Sequence, residues 1–484
     1  MKYETVIGLE VHAQLKTSSK MYCRCSSDYA NAPPNTHVCP VCLGMPGVLP
    51  VINKQAVEFT MMTALALNCT IAEHTKFDRK NYPYPDLMKG YQISQFDAPI
   101  GLAGKLAIQV DEQEKGVGIT RVHLEEDVAK LTHRAVVGES YSLVDVNRSG
   151  VPLMEIVGEP DLRSPEEARK YLMKLHSILQ YLGVSTANME EGSFRCDANI
   201  SIRPEGSREL LAKVEVKNMN SFRAVFRALE FEVKRQTRAA ETGVKIVQET
   251  RGWVEESGET VSQRSKEYAH DYRYFPEPDL PPLVVSREWV ESIRTDLPEL
   301  PEARRTRFLA EYGLPLYDAV LLTDSKEMAD YFEDVCRANK EISAKDISNW
   351  FAGSVSHIMN VNNIDISEFR KKVSPKQFVA LLLLATQAST TLNTAKYVLE
   401  QVFNTGKDPA DIIAEQGLTQ ISDSGELEKV AAEVIQANAP AVADYKGGKT
   451  QSLTFLVGQV MRATKGRANP KVVTEVLKKN LGGE

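Results

Sequence analysis

Alternation of apolar and polar residues is the feature that most constrains the fold of this 484-residue chain. In the first such segment the odd positions from Ile7 to Leu15 are apolar, and the even positions include Glu10, His12 and Gln14. Successive side chains of a strand point to opposite faces, so this period of two predicts a strand. A sheet with one apolar and one polar face favours antiparallel over buried parallel strands.

Helix signals interrupt this pattern. Ser164 and Pro165, with Glu167 three residues after the serine, predict a helix start, and Gly183 predicts its end. A second helix is predicted from Ser221 to near Gly243. From about residue 301 to residue 403 the patterns are helical, and the predicted caps there are Ser367 and Ser374.

The length suggests two to four domains at roughly 150 residues each. We predict a catalytic domain with a zinc knuckle at 1–293, a helical domain at 294–405 and a small helical tail at 406–484. The overall class is α+β. The N-terminus has no signal-peptide pattern, and the apolar stretch from Phe378 to Ala385 falls short of the ~18 residues of a membrane span. A soluble protein is therefore expected.

Four of the seven cysteines form two close pairs, Cys23 with Cys25 and Cys39 with Cys42. Four soft thiolates suit tetrahedral zinc, and because no ligand position stays open, such a site is structural. An iron–sulfur cluster or unpaired cysteines are the alternatives, although the C-x-C pair fits common cluster spacings less well. The remaining cysteines are predicted core residues: Cys69, Cys196 and Cys336. An odd cysteine count in a chain of this size favours a reducing compartment, hence a cytoplasmic protein.

The polar faces of several predicted strands concentrate acids with His, Asn and Lys. These residues are Glu10, His12, Arg121, His123, Glu125, Asp127, Asp145, Asn147, Asp197, Asn199, Arg203, Lys213, Glu215 and Lys217. Clustered carboxylates repel unless cations lie among them, and Mg²⁺ takes protein carboxylates together with phosphate oxygens. Lys80, Lys89 and Lys213 are predicted to neutralise phosphates. For any one strand, exposure to water is the better explanation of the polar face, but it weakens when the strands are taken together.

The C-terminal segment is basic although the chain carries a net charge of −7. Between Tyr445 and Lys479 there are eight Lys/Arg residues and one acid, Glu475. This is typical of a confined RNA contact or of a solvated helix face. The sequence contains neither a P-loop nor a plausible Cys-His glutaminase pair. We therefore expect the chain to handle Mg-ATP but not to release ammonia from glutamine itself.

Several longer motifs resemble the family of aspartyl/glutamyl-tRNA(Asn/Gln) amidotransferase B subunits, the GatB/GatE family. These are ETVIGLEVH at 4–12, DRKNY at 78–82, KGYQISQ at 89–95, HLEED at 123–127, SFRCDAN at 193–199, DYRYFP at 271–276 and GRANP at 466–470. The resemblance thus reaches from the first strand into the tail.

The resemblance implies a catalytic cradle of glutamine synthetase-like fold with an antiparallel sheet, followed by an all-α helical domain and a small helical tail domain that contacts tRNA. It implies that ATP phosphorylates the side-chain carboxylate of Glu-tRNA(Gln) or Asp-tRNA(Asn), and that ammonia then forms the amide. The chain would be a ligase of carbon–nitrogen bonds with glutamine as amido-N-donor. Its partners in a heterotrimer would be the glutaminase, or A, subunit, which supplies the ammonia through a tunnel, and a small C subunit.

Within this family pattern, Glu10, His12 and Glu125 are the predicted Mg²⁺ ligands, with His12 alternatively orienting the carboxylates. Lys213 is predicted to be catalytic. Nucleotide contacts are predicted for Lys80, Lys89, Glu126 and Asp197. Two other functions remain open: a non-catalytic tRNA-binding subunit, which needs no carboxylate-rich face, and a stand-alone ligase that uses free ammonia.

Overall fold

A computed structural model describes residues 2–111, 113–136, 139–265, 272–386, 391–418, 424–464, 468 and 470–482. It divides into two compact units, Met1–Leu300 and Pro301–Glu484. Several residues singled out in the sequence lie outside the described residues: Asp271, Lys465, Gly466, Arg467 and Asn469. The predicted division into three domains remains a prediction.

The first unit contains the strands. Their bounds are β1 Tyr3–Gln14, β2 Thr70–Ile71, β3 His74–Thr75, β4 Asp78–Asn81, β5 Tyr91–Ser94, β6 Gly101–Val110, β7 Gln113–Glu126, β8 Lys130–Val136, β9 Glu139–Asp145, β10 Pro152–Gly158, β11 Phe194–Pro204, β12 Val214–Lys217, β13 Glu249–Val254, β14 Glu259–Ser265, β15 Phe275–Pro276 and β16 Leu283–Val284.

Most of these strands form one large sheet in the order β14-β13-β12-β11-β1-β10-β7-β5-β4-β15, with β6 also on β7 and β2 on β6. Two small ribbons, β8-β9 and β16-β3, lie apart from it. The prediction of an antiparallel sheet is wrong at one pair, because β12 and β13 run parallel. The helix Phe222–Glu241 connects these two strands, and a parallel pair requires such a crossover. The sheet is therefore mixed.

Burial along β1 follows the predicted alternation. Ile7, Leu9, Val11 and Ala13 are at most 1% exposed, whereas Glu10 and His12 keep partial exposure. The apolar face belongs to one large core. Burying an isoleucine, leucine or valine side chain contributes about 1.5–3 kcal/mol, so a register slip of one residue would be strongly unfavourable. The polar face of β1 is thereby fixed away from the core.

Four helices lie within the described residues of the first unit. They are α1 Lys54–Ala66, α2 Pro165–Leu182, α3 Phe222–Glu241 and α4 Arg287–Thr295. Helices α2 and α3 pack on each other, and α3 packs on β11. The predicted start of α2 is confirmed, since Ser164 accepts a hydrogen bond from the backbone N–H of Glu167, and Gly183 ends the helix at a φ of 69°. The second predicted helix is confirmed as α3, capped by Ser221.

The second unit is helical throughout its described residues. Its helices are α5 Pro301–Glu311, α6 Leu316–Leu322, α7 Lys326–Ala338, α8 Ala344–Trp350, α9 Ser356–Asn362, α10 Ile366–Lys372, α11 Pro375–Thr386, α12 Leu392–Thr405, α13 Pro409–Glu415, α14 Ser424–Ala437, α15 Ala439–Lys446, α16 Gln451–Ala463 and α17 Pro470–Leu481. A π-helical turn, Phe351–Val355, joins α8 to α9.

Two apolar clusters hold this unit together, one within residues 308–413 and one within residues 427–481. The predicted cap Ser374 is confirmed, because its hydroxyl accepts a hydrogen bond from the N–H of Gln377. The prediction of Ser367 as a cap is wrong: this residue lies inside α10, which the carboxylate of Asp365 caps instead. Across the described residues, every helix is too short or too polar to cross a bilayer.

Candidate active site and metal centre

Four adjacent strands place a row of charged side chains on the polar face of the sheet. Strands β11, β1, β10 and β7 are neighbours, and their register sets Arg195 opposite His12, His12 opposite Glu155, and Glu155 opposite His123. Side chains directly opposite each other lie about 5 Å apart. Strand pairing thus brings together residues separated by more than a hundred positions in the chain.

His12, Glu125 and Glu155 offer ligand atoms that all lie within 4.8 Å of one another. The Nε2 of His12 is 3.3 Å from Glu155 Oε2 and 3.9 Å from Glu125 Oε1. Ligands about 2.1 Å from an octahedral Mg²⁺ ion are about 3 to 4.2 Å apart, so these separations fit a small divalent cation. The two carboxylates are typical Mg²⁺ ligands, whereas an imidazole is a more common ligand of transition metals.

A second histidine supports the same two carboxylates from β7. The Nε2 of His123 is 3.4 Å from Glu155 Oε2 and 3.9 Å from Glu125 Oε2, and only 3% of His123 is exposed. Burial by itself would lower the pKa of His123, but the charge of Glu155 and hydrogen bonds to both carboxylates raise it to about 9. The pKa of His12 is raised in the same way, mainly by Glu155 against burial.

The row opens into a cavity of about 320 Å³. Four predicted site residues line this cavity together: His12, Lys80, Glu125 and Asp197. Three cationic side chains surround it, since Arg195 and Lys217 join Lys80 in its wall. A cavity that combines buried carboxylates with several cations suits a phosphorylated substrate and a divalent metal ion.

Two of the cations are held by carboxylates. Lys217 Nζ donates to Asp197 at 2.6 Å. Burial would lower the pKa of Lys217, but the charges of Asp197 and Glu215 outweigh this effect and raise the pKa. Arg195 donates to Asp127 at 2.9 Å, and its Nε atom is buried without a hydrogen-bond partner among the residues that the structure describes. Asp127 also accepts a 2.7 Å bond from Gln14. The wall of the cavity is therefore ordered by charge pairs.

Aromatic rings hold the third cation. Lys80 Nζ lies 4.9 Å from the ring centre of Tyr272 and 5.7 Å from that of Tyr82, within range of cation–π attraction. Burial would lower the pKa of Lys80, but the negative charges of Glu125 and Glu155 raise it. Lys80 therefore stays protonated at neutral pH.

Two further predicted residues lie outside the lining of the cavity. Glu10 is opposite Asp197 in the β1-β11 pair and accepts a 2.8 Å hydrogen bond from Asn199. Lys213 lies immediately before β12 and is not among the residues that line the cavity. The structure places Lys217, four positions later, at the cavity instead.

Lys89 and Glu126 lie in a different environment. Consecutive residues of a strand point to opposite faces, so Glu126 points away from Glu125. Its carboxylate pairs with Lys89 and accepts a 3.0 Å bond from the N–H of Ile93. Both residues line a separate cavity of about 210 Å³, together with Cys23 and Cys42.

The four predicted zinc cysteines are clustered. Sγ of Cys42 is 3.4 Å from that of Cys23, 3.7 Å from that of Cys39 and 3.8 Å from that of Cys25. Four sulfur atoms about 2.3 Å from one tetrahedral zinc ion lie about 3.8 Å apart. The cluster therefore fits a four-thiolate metal site without rearrangement.

The cluster contains a preferred thiolate. The hydrogen bond from Cys23, together with the ammonium of Lys20, lowers the pKa of Cys42 to about 4, against the effect of burial. Lys20 is itself buried and its Nζ is 3.5 Å from Cys42 Sγ. A buried cation beside the sulfur atoms thus favours the deprotonated form that binds metal.

The three cysteines outside the cluster were predicted to be core residues. This prediction is confirmed for Cys69 and Cys196, because both are buried. Cys336 is only partly buried, and it packs against the first apolar cluster of the second unit. It therefore lies at the edge of a core.

Sequence reasoning missed Glu155 as a candidate ligand and did not select Lys217. Glu155 could have been found because it is the single acid in the otherwise apolar strand β10. A glutamate is rarely buried without a partner, so its presence there indicates one. For Lys217 the alternation showed the face but not which end of β12 reaches the cavity. Strand order and register supply that information.

Two family models match the chain. One, described as the GatB/GatE catalytic domain, matches residues 5–291. The other, described as the GatB domain, matches residues 330–481. The first ends close to the boundary between the two compact units.

Relatives match over almost the full length. An aspartyl/glutamyl-tRNA(Asn/Gln) amidotransferase B subunit from Dehalococcoides mccartyi (strain CBDB1) is 62% identical over 487 residues, covering 99% of both chains. Proteins with the same name from Thermomicrobium roseum and Carboxydothermus hydrogenoformans are 56% and 53% identical over 481 residues, again covering 99% of each chain.

Proposed function

Because the chain belongs to the GatB/GatE family, we propose that it is the B subunit of a tRNA-dependent amidotransferase and carries the amidation site of that enzyme. Its substrates are the mischarged Glu-tRNA(Gln), Asp-tRNA(Asn) or both. The reaction makes it a ligase that forms carbon–nitrogen bonds with glutamine as the amido-N-donor. The observation that carries this proposal is the cavity in which His12 and Glu125 meet three cationic side chains, with Glu155 within ligand distance of both.

The chemistry needs such a cavity. A carboxylate resists attack by ammonia until one of its oxygens becomes part of a good leaving group. In the proposed first step that oxygen attacks the terminal phosphorus of ATP, which forms an acyl phosphate and releases ADP. Ammonia then attacks the carbonyl carbon, phosphate leaves and the amide remains. Lys80, Arg195 and Lys217 oppose the negative charge that builds up on the phosphoryl oxygens.

We propose His12, Glu125 and Glu155 as holders of a divalent cation, Mg²⁺, with Glu10 close by. When bound, Mg²⁺ neutralises phosphate charge and fixes the orientation of ATP. From β7, His123 holds Glu125 of its own strand and Glu155 of the neighbouring strand β10 in place. Asp197 orients Lys217, and Asp127 orients Arg195. Direct phosphate contacts by Lys89, Glu126 and Lys213 remain predictions, since these residues lie outside the lining of this cavity.

We propose zinc for the cysteine cluster, in a structural role. The sulfur separations fit zinc, and four thiolates would leave it no open position. A reduced, cytoplasmic setting follows from this use of thiolates. The glutamine synthetase-like character of the cradle and the tRNA contact of the tail are proposed on the same family basis.

The name of the relatives describes one component of a larger assembly. We propose that the partners in a heterotrimer are the glutaminase, or A, subunit, which supplies ammonia, and a small C subunit. The alternative of a non-catalytic tRNA-binding subunit is not favoured. Such a protein needs no buried pair of carboxylates, yet Glu125 is only 3% exposed and Glu155 only 8%.

The proposed activity is tested with the assembled enzyme. Purified chain and partner subunits are incubated with labelled ATP and Glu-tRNA(Gln). We expect formation of ADP that depends on Glu-tRNA(Gln), and Gln-tRNA(Gln) when glutamine is added. The same assay without the chain is the control. ADP formation at the same rate with and without Glu-tRNA(Gln) would contradict the proposal.

Replacing Cys39 and Cys42 by serine should remove one zinc ion per chain and destabilise the first unit. Binding of a structural metal contributes to the folding free energy, so a loss of a few kcal/mol should lower the melting temperature by about 5 to 10 °C. Metal content and thermal melting measure both effects.

The matched control is Cys336→Ser, because Cys336 lies in the other unit and outside the cluster. It should keep its zinc. A double variant that melts normally but no longer forms ADP would contradict the structural role and place the metal in the chemistry.

A further inference from the structure

A short segment at one edge of the large sheet, residues 272–277, contacts a cation of the candidate active site. We call this segment the strap. Part of it forms β15, which pairs with β4 at the end of the strand order. The strap carries Tyr272, whose ring centre lies 4.9 Å from Lys80 Nζ. The position of Lys80, one of the three cations that line the cavity, is therefore tied to the position of the strap.

An arginine fastens the strap from the other face of the sheet. Arg79 directly precedes Lys80 in β4, so the two side chains point to opposite faces. Its guanidinium donates two hydrogen bonds, of 2.7 and 2.8 Å, to the two carboxylate oxygens of Glu277. The same guanidinium lies 4.3 Å from the ring centre of Tyr91. An arginine–carboxylate pair with two hydrogen bonds fixes orientation as well as distance.

The carboxylate of this pair is buried, since Glu277 is only 2% exposed. Its oxygen also accepts a 3.1 Å hydrogen bond from the N–H of Asp279, and the N–H of Glu277 donates to the carbonyl of Phe77 at 2.9 Å. Removing one partner of a buried ion pair leaves the other charge without compensation. Loss of Arg79 should therefore displace Glu277, and the strap with it.

Other contacts hold the strap in a conformation that is unfavourable by itself. Arg273 has a φ of 45°, in the left-handed region that residues other than glycine rarely adopt. Its carbonyl accepts a 2.9 Å hydrogen bond from Asn81, and the ring of Tyr274 stacks on Phe96 with 4.1 Å between ring centres. Such backbone conformations persist only where the surrounding structure enforces them, and they cluster at functional sites. The strap is thus held in one position by several contacts at once.

We propose that Arg79 is a positioning residue for phosphoryl transfer: through Glu277 it fixes the strap, and the strap fixes the ammonium of Lys80 beside the phosphate. This inference rests on the proposed function and deepens it, because neither Arg79 nor Glu277 lines the cavity. A preorganised cation is effective only at the correct distance from the charge that it stabilises. A displacement of about 1 Å can cost about 100-fold in rate.

The test uses the full chain with its partner subunits and the variants Arg79→Met and Glu277→Gln. We expect each variant to lower the rate of ADP formation at saturating ATP and Glu-tRNA(Gln) by about 10- to 100-fold. The double variant should lose no more than the more damaging single variant, since both changes break the same pair. Arg79→Lys keeps the charge but not the two-bond geometry, so it should restore the rate only in part.

Two further readouts separate the positioning of Lys80 from a purely structural role. Adding Arg79→Met to Lys80→Met should lower the rate by less than about twofold, because Arg79 acts through a group that is already absent. The amine of Lys80 should also react several-fold faster with acetic anhydride in Arg79→Met than in the wild type. Mass spectrometry of the modified peptide measures this reactivity without any substrate.

Glu232→Gln is the matched control for loss of a buried ion pair. Glu232 is 0% exposed and pairs with Arg235 at 2.8 Å and with Arg251 at 3.2 Å, but it lies on α3 and outside the cavity lining. It should lower the melting temperature about as much as Glu277→Gln does. The rate of ADP formation by the folded enzyme should stay unchanged.

Normal rates in both Arg79→Met and Glu277→Gln would overturn the inference. So would losses that multiply in full when Arg79→Met and Lys80→Met are combined, because the two residues would then act independently. If Arg79→Met does not fold, Glu277→Gln and its combination with Lys80→Met decide the same question. These outcomes leave the proposed function standing as long as the wild type is active, whereas an inactive wild type contradicts that function itself.

Discussion

Glu125→Gln and Glu155→Gln are each expected to lower the rate of ADP formation by about 10²- to 10⁴-fold, because a bound metal ion contributes several kcal/mol and each 1.4 kcal/mol is a factor of ten. Glutamine keeps the shape of glutamate but removes the negative charge. Both carboxylates lie between His12 and His123, so each substitution weakens metal binding and removes a partner of two imidazoles. The measurement is the single-turnover rate as a function of Mg²⁺ concentration.

Glu159→Gln is the matched control, since Glu159 follows β10, is exposed and accepts a hydrogen bond from Thr120 outside the cavity. It should leave the rate unchanged. Glu10→Gln ranks the remaining candidate: a loss as large as that of Glu125→Gln would make Glu10 a ligand, and a small loss would limit it to holding Asn199. Full activity in both the Glu125 and Glu155 variants would show that the metal site is assigned wrongly.

Much of the fold follows from local sequence patterns. The alternation in β1, the serine cap of α2 and the helical second unit are short-range features, and all of them are confirmed. The parallel pair β12-β13 was not predicted, because strand direction depends on where the chain returns after α3. Ser367 failed as a cap because Asp365, another good capping residue, lies two positions earlier and closes the first turn of α10.

The candidate site divides in the same way. Glu10, His12, Glu125 and Asp197 follow from alternation and from family resemblance, and the structure places them in or beside one cavity. Glu155 depends on β10 lying between β1 and β7, which is a pairing of strands distant in sequence. Glu126 shares a motif with Glu125 but faces the other way, since a strand separates neighbours onto opposite faces. Two residues that are adjacent in one sequence motif therefore need not belong to the same site.

Lys217→Met should lower the rate of ADP formation about 10²- to 10³-fold, a typical loss when one preorganised electrostatic group is removed from an active site. Lys217 lines the cavity and donates to Asp197 at 2.6 Å, so its loss removes a cation beside the proposed phosphates and leaves a carboxylate without its partner. Lys213→Met should have little effect, because Lys213 precedes the strand and lies outside the cavity lining. The two variants separate the sequence-based assignment from the structural one.

The conservative variant Lys217→Arg distinguishes chemistry from folding. It keeps a positive charge next to Asp197, so its melting temperature should match that of the wild type, while activity recovers only in part because a planar guanidinium does not reproduce a compact ammonium. If Lys217→Met instead retained full activity with normal folding while Lys213→Met lost it, the catalytic lysine would be Lys213. The ion pair between Lys217 and Asp197 would then serve only to hold β11 and β12 together at the edge of the cavity.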